Sequence, residues 1–175
     1  MHVVHCFKSM WTAEDIGAVL SIKGGSNSSV SRVIGGGPLY ADDKVIQRNG
    51  NGTVVIDGFF AQDFGKLYRS CGNCKSNPRQ RFLNADLTVI HSNRAGKNVS
   101  IVVMNGNCGD QAVLRNIYVK PTTARFTECA SSYDVNQSGV KSCQAMGQSF
   151  PLSVFNDDIH IIKSGREQEQ QEQQE

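Results

Sequence analysis

A chain of 175 residues, 39% hydrophobic and 19% charged, has room for one domain of ordinary size. Aromatic residues at 7% beside 17 glycines suit a turn-rich β protein rather than a helical bundle, and no apolar run approaches the length of a membrane span. The net charge of +2 understates the basicity of the body: without residues 166–175, where Arg166 faces Glu167, Glu169, Glu172 and Glu175, 17 cations oppose 12 anions. A modest positive field helps capture a polyanion. No stripe of Lys and Arg interleaved with aromatics is present, so nucleic acid is not an expected partner.

Residues 1–10 read as an irregular N-terminus. Short β-branched runs bounded by Gly, Asn, Asp or Ser then predict strands at Val19–Ile22, Val30–Ile34, Lys44–Gln47, Thr53–Ile56, Gly65–Tyr68, Leu87–Ile90, Ser100–Met104, Ala112–Leu114 and Ile117–Val119. No helix-period segment of useful length competes with them. Residues 131–165 form a C-terminal extension of turn residues with one apolar patch at Ile159–Ile162. The tail EQEQQEQQE is low-complexity, and residues 166–175 are expected to be disordered and without chemistry.

A loose repeat runs through the body. Val30, Val54, Phe82 and Val113 begin the phrases VSRVIGGG, VVIDGFFAQD, FLNADLTV and VLRNIYVK, at spacings of 24, 28 and 31 residues. Short strands at such a period without helices are what a parallel β-solenoid produces. A β-sandwich with uneven loops accounts for the repeat equally well on this evidence.

Six cysteines, Cys6, Cys71, Cys74, Cys108, Cys129 and Cys143, suggest oxidising conditions. Sequons at Asn27, Asn51, Asn98 and Asn136 point the same way. The opening MHVVHCFKSMW has neither the basic start nor the long apolar core of a signal peptide. The expectation is a secreted protein whose true beginning is missing, or one exported by another route.

The most informative stretch is DKVIQRNGNGTVVIDGFFAQDFGKLYRSCGNC, Asp43 to Cys74. It carries three separated cations, Lys44, Lys66 and Arg69, the last two in a compact G-K-L-Y-R unit before C-G-N-C. It follows the pattern D-K-[IV]-x-Q-x-N, then G-T-[VI], then [FY]-x-A-x-D-[FY]-G-K-L-x-R-S-C-G-N-C. In this the chain resembles the pectate lyases of the third polysaccharide lyase family over roughly residues 11–129.

The resemblance implies an all-β fold, a single-stranded right-handed parallel β-helix over residues 11–130. It is a partial one, since the family's early coils have no counterpart, and a truncated or mispredicted gene product is expected. It implies calcium-dependent β-elimination on polygalacturonate, the de-esterified pectin, by a secreted monomer. In that reaction a base removes the C5 proton of a uronate, the C4–O bond breaks, and cations stabilise the enolate-like intermediate.

The family's cationic residues fall on Lys44, Lys66 and Arg69, with Lys44 and Lys66 about one coil apart. The resemblance implies substrate binding by Lys44 and Lys66 and proton abstraction by Arg69. An ordinary arginine stays protonated, so Arg69 acts as a base only where burial and neighbouring cations favour its neutral form. Lys66 is the alternative base. For an isolated lysine on a strand a solvated β face is the better reading; three cations at the family's full spacing favour a site.

The family's upstream pattern reads G-[VI]-H-C-x-G-D-C, then W-[WF]-E-D-V-C-E-D-A-L-x-[IL]-K. The chain offers VVHCFKSMWTAEDIGAVLSIK, without the G-D-C element. Counted back from Lys23, the final acidic pair falls on Gly17 and Ala18. Glu14 and Asp15 are the nearby carboxylates that could ligate calcium, which needs six to eight oxygens, about as many as three or four residues supply. An exposed acidic turn is the competing reading. Asp43 and Asp63 are second candidates, better suited to orienting the lysines.

Cys71 and Cys74 have the spacing of half a zinc site, but no second CxxC or CxxH completes it, and His2 and His5 near Cys6 make a loose cluster. The resemblance treats Cys71–Cys74 as a disulfide, with Cys108–Cys129 as a second bridge and Cys6 unpartnered. Three functions follow: an active pectate lyase; a catalytically impaired β-helix remnant that binds pectic polymer; and a zinc-stabilised nucleic-acid or protein-binding module, against which the missing half-site argues.

Overall fold

The computed structural model describes residues 2–5, 10–13, 18–71, 74, 81–92, 99–105, 108–121, 126–132, 153–154 and 159–162; the side chains of 2–5, 10–13, 18–19, 84, 87–92, 127–132, 153–154 and 159 lie outside the description. The described elements are strands: β1 (His2–His5), β2 (Met10–Ala13), β3 (Ala18–Ile22), β4 (Val30–Ile34), β5 (Gly37–Arg48), β6 (Thr53–Gln62), β7 (Phe64–Ser70), β8 (Phe82–Ser92), β9 (Val99–Asn105), β10 (Gln111–Pro121), β11 (Phe126–Ser132), β12 (Ser153–Val154) and β13 (Ile159–Ile161).

They alternate between two parallel sheets. One runs β1-β4-β6-β8-β10-β12 with β13 also on β10; the other runs β11-β9-β7-β5-β2 with β3 also on β5. Every pairing is between strands one coil apart, and every one is parallel. This is a parallel β-helix, not a sandwich.

Columns of like residues line the interior. Val33, Ile56, Ala85 and Leu114 are successive register partners, and each is wholly buried. Ile46, Tyr68 and Val102 form a matching column on the other sheet. Burying one such aliphatic side chain is worth about 1.5–3 kcal/mol, so a coil is stabilised mainly by the coils beside it.

Strands are longer than the sequence predicts because the chain turns corners without leaving the ladder. On β6, Asp57 and Gly58 are both exposed where alternation would bury one, and Gly58 has φ +59°. On β10, Arg115 and Asn116 repeat the step with φ +50° at Asn116. Gly and Asn adopt this left-handed conformation at least cost, which lets a strand bend and continue. Ala112–Leu114 and Ile117–Val119 are therefore two legs of one strand.

Two further readings are corrected. The repeat starts at Val30, Thr53, Phe82 and Gln111, which are register partners, so the phrases beginning at Val54 and Val113 were placed one and two residues late. Residues 1–10, expected to be irregular, contain β1, which pairs with β4, and the first residue of β2. Within 131–165, β12 and β13 extend the stack from β10. Residues 166–175 lie outside the described residues.

Candidate functional site

The three cations all lie on the second sheet. Lys44 on β5 is the register partner of Lys66 on β7, so one coil places two lysines side by side. The column continues to Ala18 on β3 and to Ser100 on β9. Three residues on, Ser21, Gln47, Arg69 and Val103 make a parallel column.

On β5 and β7 both columns reach the surface because the strands bend between them, whereas Ser100 and Val103 on β9 are buried. On β5 the consecutive residues Val45 and Ile46 are fully buried, and on β7 so are Leu67 and Tyr68. Strict alternation would send Lys66 and Arg69 to opposite faces. The extra buried residue resets the phase, leaving Lys44, Gln47, Lys66 and Arg69 all partly exposed.

Two ammonium groups at the coil spacing of about 4.8 Å repel unless an anion lies between them. Asp43 is that anion. Its Oδ1 accepts a hydrogen bond from Lys66 Nζ at 2.8 Å, and its Oδ2 is paired with Lys44 Nζ. The cluster is half-buried: the side chains of Lys44, Lys66 and Asp43 are 11%, 28% and 34% exposed. Burial pushes the Asp43 carboxyl up, but the hydrogen bonds and charges of Lys44 and Lys66 outweigh it and hold the group below the usual carboxylate range. Close packing of the coils supports the arrangement. A Cβ on Gly65 would lie 2.6 Å from the Asp43 carbonyl oxygen, so glycine lets β7 approach β5 beside both lysines.

Asp63 does not share this role. It sits in the left-handed conformation, φ +51°, between β6 and β7, and its Oδ2 accepts from Gln62 Nε2 at 3.4 Å. Its Oδ1 is buried without a hydrogen bond. Sequence proximity to the lysines is no guide here, because the turn directs the carboxylate elsewhere.

Gln47 escaped the sequence reading. It stacks on Arg69 through the same one-coil step that joins Lys44 to Lys66, and that equal separation was the available signal. Its amide nitrogen donates to Asn49 Oδ1 at 2.8 Å, which orients the side chain.

The side chains described do not fit calcium. Among the described residues no group of three His, Cys, Asp or Glu could hold a metal, and Asp43 is already engaged by two lysines. Ala18, where the resemblance puts an acidic residue, is the register partner of Lys44 and has no ligating side chain. Glu14, Asp15 and Gly17 lie outside the described residues.

Cys71 and Cys74 are bridged, with Cα atoms 5.9 Å apart. A disulfide, not half a zinc site, therefore closes the C-G-N-C loop. Cys108 is also disulfide-bonded; the expected pairing with Cys129 falls on a side chain outside the described residues.

The pectate lyase family model matches residues 5–138 of this chain. Pectate lyase E of Emericella nidulans is 39% identical over 117 residues, a match spanning 64% of this chain and 43% of that protein. A probable pectate lyase E of Neosartorya fischeri is 40% identical over 134 residues, 74% of this chain and 45% of that one. The chain thus spans about half the length of the curated relatives it matches. Among solved structures, pectate lyase PelI from Erwinia chrysanthemi in complex with tetragalacturonic acid superposes with a TM-score of 0.61 at 23% identity. That likeness covers 90% of this chain and 55% of the other and concerns the fold.

Proposed function

Because this chain belongs to the pectate lyase family, we propose that its cationic surface binds polygalacturonate and cleaves it by β-elimination. The observation carrying the proposal is the Lys44–Lys66 pair, already organised around one carboxylate. A site that holds Asp43 between two ammonium groups is built to receive a uronate carboxylate in the same manner.

In this reading Lys44 and Lys66 bind the carboxylate of the reacting sugar and offset the charge that spreads onto it as the C5 proton leaves. Arg69, on the other leg of the same bend, is the proton acceptor, with Lys66 as the alternative. The electrons of the C5–H bond form the C4–C5 double bond, and the C4–O bond breaks to release the next sugar. Calcium would supply further electrostatic relief at the carboxylate. Glu14 and Asp15 are the carboxylates proposed for it, and the steps above are derived from side chains alone. Export from the cell completes the reading, supported by six cysteines and the Cys71–Cys74 bridge.

One observation favours a second reading, binding without cleavage: Ala18 stands on the coil beside Lys44 where an acidic residue is expected. A single experiment separates the two. Polygalacturonate is incubated with the full chain at alkaline pH, with calcium or with chelator, and absorbance of the unsaturated product is followed beside retention in a polygalacturonate affinity gel. Product formation abolished in Lys66→Ala supports the lyase. Retention without product supports the binding remnant. Neither retention nor product rejects both.

A further inference from the structure

A second polar cluster lies inside the helix, where a β-helix ordinarily stacks apolar side chains. Arg48, Tyr68, Ser70, Arg81 and Asp110 are each at most 1% exposed. Arg48 closes β5 and is the register partner of Ser70. Its carbonyl oxygen accepts from Cys71 N at 2.8 Å and from Arg81 Nη1 at 3.3 Å, which brings the two arginines to one corner of the coil.

Asp110 is fully committed to Arg81. Its Oδ1 accepts from Arg81 N at 3.0 Å, and its Oδ2 accepts from Arg81 Nε at 2.9 Å. Arg81 Nη2 lies 2.7 Å from the same Oδ2 as an ion pair, yet makes no hydrogen bond. Among the described residues one carboxylate therefore neutralises one of two buried guanidinium groups. Among the described residues Arg48 Nε and Nη2 are buried without hydrogen-bond partners, as are Tyr68 Oη and Ser70 Oγ, two hydroxyls that lie near enough to influence each other.

Neither of the usual escapes from this charge is open. An ordinary guanidinium keeps its proton, although burial, with Arg81 nearby, holds Arg48 below its ordinary value despite the opposing effect of Tyr68. Tyr68 cannot act as an internal anion either. Burial foremost pushes its phenol up to about 12, so at neutral pH it remains an O–H donor. Water could satisfy the hydrogen bonds but would leave a net positive charge in a low-dielectric interior, the costly term.

We propose that this corner binds one small monovalent anion of the halide class, held by Arg48, Tyr68 and Ser70 and lying beside Arg81. Its charge completes the neutralisation that Asp110 begins. Arg48 on β5 and Tyr68 and Ser70 on β7 come from adjacent coils, with Ser70 the register partner of Arg48. The site is distinct from the half-buried Lys44–Lys66 cluster, which engages Asp43.

The test is thermal unfolding of the full chain at pH 7 and constant ionic strength, with chloride or bromide replacing gluconate, an anion too bulky for an enclosed corner. A bound anion shifts the folding equilibrium by one plus its concentration over Kd, so at 100 times Kd the folded-to-unfolded ratio rises about 100-fold. The expected result is a saturable rise in the unfolding midpoint with chloride and with bromide. Arg48→Met should abolish it, and Asp57→Asn, an exposed change on the other sheet, should leave it intact. Should Arg48→Met fail to fold, Tyr68→Phe and Ser70→Ala each remove one donor and are expected to raise the half-saturating halide concentration about tenfold. Equal midpoints in chloride and gluconate would overturn the proposal and leave water as the partner of these donors. So would an unaltered halide response in Arg48→Met, or in both single-donor variants.

Discussion

Replacing Asp43 by Asn removes the charge that holds Lys44 and Lys66 together while keeping the side chain's size. The carboxylate serves two ammonium groups, one of them 2.8 Å away. Exposed ion pairs contribute at most about 1 kcal/mol each. Lys44 at 11% exposure lies toward the strong end of that range, while Lys66 and Asp43, at 28% and 34%, are well screened. The expected loss of unfolding free energy is about 1–2 kcal/mol at pH 7. Its pH dependence has a definite sign. The folded carboxyl is held below its ordinary 3.8, so the contribution is complete above that value and lost as pH falls through the lower, folded one. Urea unfolding of both proteins from neutral to acid pH should show a constant gap that closes only below pH 3.8. The same substitution frees one unit of positive charge, so retention on polygalacturonate should strengthen at low salt, with the gain vanishing at about 1 M salt, where the Debye length is near 3 Å. Equal stability of the two proteins at pH 7, or a gap that survives in strong acid, would refute the electrostatic account of the clamp.

Lys66→Ala should weaken polymer retention and flatten its salt dependence while leaving the fold intact, checked by affinity electrophoresis at several ionic strengths; an unchanged salt dependence would exclude Lys66 from the contact. Gly65→Ala forces a Cβ to 2.6 Å from the Asp43 carbonyl oxygen unless the coils part; a loss of about 1–3 kcal/mol in urea unfolding, with weaker polymer retention, is expected. Asp110→Asn strips Arg81 of its counter-charge in the interior and should cost about 3–5 kcal/mol, read by the same unfolding assay. Opening the short Cys71–Cys74 loop by Cys71→Ser with Cys74→Ser should cost about 2 kcal/mol by loop-closure entropy, seen as a lower thermal midpoint.

The coil period of this protein was readable from residue types because each turn of the helix repeats one demand. Small or branched side chains point inward at fixed intervals, and turn residues sit at the corners. That demand placed the strand cores at Val30–Ile34 and Ser100–Met104 and put Lys44 one coil from Lys66. It did not reveal that strands run on through left-handed Gly58 and Asn116, since Gly and Asn signal an end to a strand as readily as a bend within one.

The sequence by itself carried the repeat, the one-coil separation of Lys44 and Lys66 and the close spacing of Cys71 and Cys74, because these follow from local order, while the repeat alone left a solenoid level with a sandwich. Tertiary structure alone decided which carboxylate serves the lysines. Asp43 and Asp63 both lie close to a lysine in sequence, one residue before Lys44 and three before Lys66, but a positive φ turns Asp63 away, and the bend after Lys44 leaves Asp43 facing both ammonium groups. It also decided that Arg48 and Arg81 lie in the core. A charged side chain carries no local mark of its burial. Whether it faces solvent or the interior depends on strand phase after each bend, and on a partner such as Asp110, 29 residues from Arg81 and one coil away.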